Sequence, residues 1–167
     1  MLEFVFLEHS IRPIYSDTVT YDLSALRNQL ESEPFADLAE MMAAYARAAA
    51  DVASRQFSEH LDFTSDSIDK LDEILVLISD DPNCEIDFEV RLWGGYLGEV
   101  LRRRYAGSWE MTQYPGSAMA VPTVEVRSSR LFPLMKVYRR MTMGEEEDLR
   151  GFYAMVTERL GKPAPVN

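Results

Sequence analysis

The chain has 167 residues, of which 47% are hydrophobic and 27% charged, so it has the length and composition of one globular domain and not of a disordered chain. A net charge of −11 argues against a protein built mainly to hold nucleic acid, because phosphate binding needs a basic footprint. A single cysteine, Cys84, excludes an internal disulfide and a cysteine-built zinc cluster, and a reducing compartment is its simplest setting.

The N-terminal "LEFVFL" reads as a short strand or an apolar arm, and "IRPIYSDTVT" leans to β structure broken by Pro13. The start carries Glu3 and Glu8 and no basic leader, and no stretch approaches the ~20 apolar residues of a membrane span. The expectation is a cytoplasmic protein with no membrane partner. "YDLSALRNQL" predicts a short helix with Asp22 as N-cap. "SEPFADLAEMMAAYARAAADVASRQF" predicts a long one, with Ser32 or Glu33 as cap and Pro34 at the first helical position. Its alanines favour helix and leave room for a second helix to approach closely. Met41 and Met42 suit either core filling or an adaptable binding surface. In the third helix, Thr64, Ser65 and Asp66 suit the N-terminus, and Ile68, Leu71, Ile74, Leu75 and Ile78 form an apolar stripe.

A fourth helix is expected over residues 85–106, containing "RLWGGYLGEVLRRRYAGSW". Each glycine in a helix costs about 1 kcal/mol against alanine, so Gly94, Gly95 and Gly98 need compensation. Gly94 and Gly98 share a side, where a second backbone or a ligand can come close. Gly107 suits a C-terminal stop, with Arg102, Arg103 and Arg104 complementing the helix dipole. Glu99 sits at the margin of the apolar face and can pair with Arg102 or Arg103. The alternative is a semi-buried carboxylate beside a glycine-made hollow, available to bind or to act as a base.

Beyond Gly107 the period changes. "SWEMTQY", "AVPTVEVRS" and "LFPLMKVYRRMT" predict three strands joined by turns at 115–117 and 128–130. "GEEEDLRGFYAMVTERLGK" predicts a final helix, with Leu149, Phe152, Tyr153, Val156 and Leu160 as its core stripe, and residues 163–167 a loose tail. The fold class is therefore α+β: N-terminal helices packed on a small three-stranded antiparallel sheet, with a C-terminal helix, all in one domain over residues 1–167. No repeat or linker is present.

Chemical motifs are sparse. No nucleophile elbow, dinucleotide or P-loop glycine pattern, or standard metal-ligand spacing occurs, so no catalytic residue, metal or cofactor is expected. Cys84 has acidic neighbours, which raise a thiol pKa. Glu59, His60, Asp62 and Asp66 lie close together but read as an acidic, capped helix start. The basic set Arg102, Arg103, Arg104, Arg127, Arg130, Lys136, Arg139 and Arg140 either converges on an anion or pairs with the chain's abundant carboxylates.

The run "YLGEVLRRRYAGSW", preceded by "LDFTSDSIDKLDEIL" and followed by "KVYRR", resembles a pattern shared by small uncharacterised bacterial domains. In these a Ser/Thr-x-x-Ser-x-x-x-Leu-Asp helix precedes a Tyr-x-Gly-Glu-Val helix and a Gly-x-Trp strand start. The resemblance covers roughly residues 61–140 and implies no activity. It directs attention to Tyr96, Gly98, Glu99, Gly107 and Trp109.

Two functions follow as expectations. Residues 1–84 carry 5 basic and 17 acidic side chains, against 9 and 6 in residues 85–143. This split suggests a non-enzymatic acidic interaction protein, immunity-type or chaperone-like, that docks on a protein partner of basic character, with a homodimer also open. The alternative is a small-molecule or anion-binding, or hydrolytic, protein. It would use Tyr96, Gly98, Glu99, Arg102, Arg103, Trp109 and Arg139 as a ligand site.

Overall fold

A computed structural model describes residues 21–162. The strand-or-arm reading of residues 1–20 and the tail at 163–167 lie outside the described residues. Within them the order is α1 (Ser24–Ser32), α2 (Leu38–Phe57), α3 (Ser67–Ser79), α4 (Ile86–Tyr105), β1 (Ser108–Gln113), β2 (Ala120–Val126), β3 (Ser129–Leu131), α5 (Pro133–Met143), a 3-10 turn (Glu145–Glu147) and α6 (Leu149–Leu160). The class is α+β, and the sheet is an antiparallel meander β1-β2-β3. Trp109 pairs with Val124, which pairs in turn with Leu131.

The centre of the molecule is α4. Residues 92–101 are buried without interruption, so this stretch of the helix is enclosed by other elements on every side. The glycines make that enclosure possible. A Cβ on Gly94 would lie 2.7 Å from the Leu134 Cα, so the α5 backbone rests directly on α4. Gly95 faces α2, with Tyr45 Cβ at 3.1 Å from the same ideal position. Opposite, Ala46, Ala49 and Ala53 of α2 are fully buried, which brings the two helix axes close. Met42 is core, and Met41 packs partly buried against it.

Three boundaries differ from the sequence expectation. α2 starts at Leu38, not at Pro34. Glu33 precedes a proline, which favours extended backbone, and it takes φ −69°, ψ 128° as the end of α1. Asp37 is the true cap: its carboxylate accepts from Glu40 N–H (2.8 Å), while the Glu40 carboxylate accepts from Ala36 N–H (2.9 Å), one residue before the cap. The helix α4 ends on Ala106 in the left-handed region (φ 51°), one residue before Gly107. Gly107 is needed for approach instead, since a Cβ there would lie 2.7 Å from the Glu125 carbonyl oxygen.

The third correction is larger. "LFPLMKVYRRMT" is not a strand. Pairing ends at Leu131, and Pro133 opens a helix as its first residue, where its missing N–H costs nothing. Leu134, Val137 and Arg140 then recur at a spacing of three, which buries one helical face. The final helix is also interrupted. Residues 145–147 form a 3-10 turn, and α6 begins after Asp148, whose side chain accepts from Gly151 N–H (3.2 Å).

One carboxylate ties three of these elements together. Asp72 on α3 accepts two hydrogen bonds from Arg140 on α5 (2.8 and 3.1 Å) and a third from Leu149 N–H at the start of α6 (2.9 Å).

Candidate functional site

Of the seven residues expected to form a ligand site, Tyr96, Gly98, Arg102, Arg103 and Trp109 come together around Glu99, and Arg139 does not. Glu99 is 1% exposed, deeper than the helix margin expected for it. Arg102, one turn on, donates from Nε to Oε1 (2.7 Å) and from Nη2 to Oε2 (3.0 Å). Arg103 Nε adds a longer contact to Oε2 (3.4 Å), and Trp109 Nε1 on β1 donates to Oε1 (2.7 Å). Gly98 admits the Trp109 ring, whose Cη2 lies 2.0 Å from where a Cβ would sit. Burial pushes the Glu99 carboxyl up, but the bonds from Arg102 and Trp109 and the two guanidinium charges outweigh it and hold the group below its ordinary range.

Tyr96 belongs to the same neighbourhood through the loop before α3. Its hydroxyl donates to Ser67 Oγ (2.7 Å) and accepts from Phe63 N–H (2.8 Å), and Ser67 donates onward to the Thr64 carbonyl (2.6 Å). Phe63 has φ 65°, a conformation that a bulky residue adopts only when held. Tyr96 supplies one hold. The Arg103 guanidinium, stacked 3.8 Å above the Phe63 ring, supplies another. Arg103 therefore joins the Glu99 cluster to the Phe63 loop.

Both Glu99 oxygens are filled, and the group is held ionised. A general base needs a free lone pair and a pKa near the working pH. Through these bonds Glu99 ties α4 to Trp109 on β1.

Arg139 lies elsewhere. It lines an open cleft of about 570 Å³ between α5 and α6, together with Lys136. Both cations hold Glu147 of the 3-10 turn: Lys136 Nζ to Oε2 is 2.6 Å and Arg139 Nη2 to Oε1 is 2.5 Å. The remaining members of the basic set disperse. Arg127 donates to the Leu160 carbonyl (2.6 Å), Arg130 reaches Glu125 (3.3 Å), Arg140 is held by Asp72, and Arg104 lies near the rings of Tyr105 and Tyr153 (5.9 and 5.7 Å). Pairing with carboxylates and carbonyls therefore describes most of this set, and only Arg130, Lys136 and Arg139 reach one cleft.

The sequence reading missed Glu89. It is 2% exposed, and no ion pair reaches it among the described residues. Its Oε2 accepts from Tyr21 (2.9 Å) and from Trp93 Nε1 (2.6 Å). Burial drives its pKa up to about 7, more than the bonds from Trp93 and Tyr21 lower it, and Asp81 raises it further. A signal existed: at 100° per residue Glu89 falls about 60° from Leu92, between Tyr96 and Trp93 on the apolar face. Cys84 is half-buried, and burial first, then Glu89 and Asp81, pushes its thiol up to about 11, which favours the neutral thiol at neutral pH.

Around the acidic run before α3, Asp62 accepts from Thr64 N–H (3.1 Å) and Oγ1 (2.6 Å), and Glu59 lies 4.0 Å from Lys70. Among the described residues no group of three or more His, Cys, Asp and Glu side chains could hold a metal ion, and no helix is long and apolar enough to cross a membrane.

Compared with known proteins, the chain matches no family model, and no significant match was found among curated proteins or solved structures. The motif resemblance therefore rests on the sequence alone.

Proposed function

We propose that this chain is a non-enzymatic acidic interaction protein, immunity-type or chaperone-like, that docks on a protein partner of basic character. The observation that carries the reading is the outward stripe of α3. Asp66, Asp69, Glu73, Val76 and Asp80 recur at spacings of three and four, and all five are exposed. Asp66 stands at the N-cap position, yet its side chain makes no capping bond. Asp69 pairs with Arg150 (2.9 Å), while Asp66, Glu73 and Asp80 have no ion pair among the described residues. Across residues 21–84 there are 14 acidic and 4 basic side chains. Carboxylates left unspent on one rigid helix create a field that steers a basic surface and fixes its register.

The test is affinity capture from a lysate of the source cell, followed by titration of the captured protein against wild type and a D66K/E73K/D80K variant at low and high salt. The reading expects an association rate at least tenfold slower for the variant and strongly salt-dependent for wild type. Binding indifferent to both, or no specific partner at all, would overturn it.

A further inference from the structure

The cleft between α5 and α6 has an arrangement that the acidic stripe does not use. One wall is apolar: Phe132, Met135, Phe152 and Met155 line it, and Met155 is half exposed although it lies on a packed helix. Its cations are Arg130, Lys136, Arg139 and Arg159, against Glu146, Glu147 and Asp148, a net positive recess on a protein of net charge −11. Arg159 has no ion pair among the described residues. A volume of about 570 Å³, apolar walls and a few convergent charged groups are the features of a small-molecule site.

The position of Glu147 indicates which ligand. Its carboxylate already sits at the polar end of the recess, gripped by Lys136 and Arg139, whose side chains are 13% and 45% exposed. It is carried on a three-residue turn that follows Gly144, whose φ of 93° and ψ of −154° suit only glycine. Glu147 thus fills an anion position from a short, exposed segment. Exchange with an incoming carboxylate would conserve the charge held there. Affinity must then come from the apolar body that the ligand lays on Phe132, Met135, Phe152 and Met155.

We infer that this cleft binds a small amphipathic carboxylate, its head replacing Glu147 on Lys136 and Arg139 and its alkyl or aryl body lying along the wall formed by α5 and α6. The site shares no residue with the α3 stripe, so either reading can fail alone.

The experiment is calorimetric titration of the full chain with hexanoate, octanoate and decanoate, and with decanol as the uncharged control. Saturable binding should strengthen about fourfold per methylene. Decanol should bind at least tenfold more weakly than decanoate. The E147Q variant removes the internal competitor and should bind decanoate at least fivefold more tightly. The M155E variant, changed at a half-exposed position, should bind at least tenfold more weakly with its thermal unfolding midpoint unchanged. Absence of saturable binding, E147Q indistinguishable from wild type, or M155E binding as well as wild type would each overturn the inference. Capture of an acidic apolar peptide in the cleft without any carboxylate binding would replace it with peptide docking.

Discussion

Glu89 makes a signed prediction about stability and pH. The perturbation is E89Q, which keeps the side-chain shape and an oxygen that can accept from Tyr21 and Trp93, but cannot ionise. In the folded protein the Glu89 carboxyl titrates at about 7, against 4.5 for the same group unperturbed. Below about pH 4.5 the carboxyl is protonated in both states and contributes no pH-dependent term. Between the two values the unfolded chain loses its proton while the folded one keeps it, so stability falls as pH rises. Above about 7 the full penalty is present and the slope ends. A gap of about 2.5 pKa units corresponds to about 3 kcal/mol. This is the reverse of the usual carboxylate, whose folded pKa is depressed. Urea denaturation of wild type and E89Q at intervals from pH 4.5 to 8 measures it. The stability of E89Q relative to wild type should rise by about 3 kcal/mol across that window, whatever its offset at pH 4.5. An offset that stays constant to within about 0.5 kcal/mol would mean that Glu89 is solvated or paired in the folded state. The burial argument would then be refuted.

Three further outcomes follow from the same helix. E99Q should behave oppositely on the acid side: the Glu99 carboxyl is held below its ordinary range, so its contribution is present above that range and disappears as the folded-state group protonates. Urea titrations down to acid pH should show wild type losing its advantage over E99Q, and at neutral pH the loss of this buried ion cluster should cost about 3 kcal/mol or more. G98A should destabilise although alanine favours helix by about 1 kcal/mol, because the new methyl falls 2.0 Å from Trp109 Cη2 and 3.0 Å from Pro133 Cγ. A G98A protein with an unchanged or higher melting temperature would disprove the close-approach account. Y96F removes the acceptor that holds Phe63 N–H and the donor to Ser67. It should cost about 1–3 kcal/mol and accelerate hydrogen exchange at Phe63 selectively.

What could be read from the sequence followed the length and regularity of each period. The stripe of α3 and the alanine face of α2 sit where their spacing puts them, because residues three and four apart share a helix side over many turns. Segments just after a turn were harder. Val137 and Tyr138 favour a strand, and "LFPLMKVY" is too short for its period to overrule them. Yet Pro133 marked a helix start, and Leu134, Val137 and Arg140 already showed the helical spacing that α5 adopts. At α2, the D-x-x-E pair at Asp37 and Glu40 outcompeted Pro34 as a start signal. Arg139 could not be separated from the Glu99 group by sequence, since only the path of α5 along α4 carries it towards α6.

The two buried glutamates explain why the same residue type on one helix does different work. Glu99 has arginines at i+3 and i+4, so the helix itself supplies cations that keep it charged, and Trp109 closes the cluster from β1. The corresponding positions for Glu89 are Leu92 and Trp93, so only one neutral N–H reaches it from its own helix and Tyr21 must supply the other. Ionised, Glu89 would be a buried charge with no ion pair among the described residues, and neutral, it is one more hydrogen-bonded core group. Their opposite titration therefore follows from sequence spacing once burial is known. The same spacing argument separates these carboxylates from those of the α3 stripe: Glu73 and Asp80 have no cation at i+3 or i+4, Lys70 at i+4 from Asp66 turns to Glu59 and the His60 carbonyl instead, and all three carboxylates face water. Carboxylates in that state contribute little to holding the fold, and three of them on one rigid face project a negative field into the solvent that salt would screen.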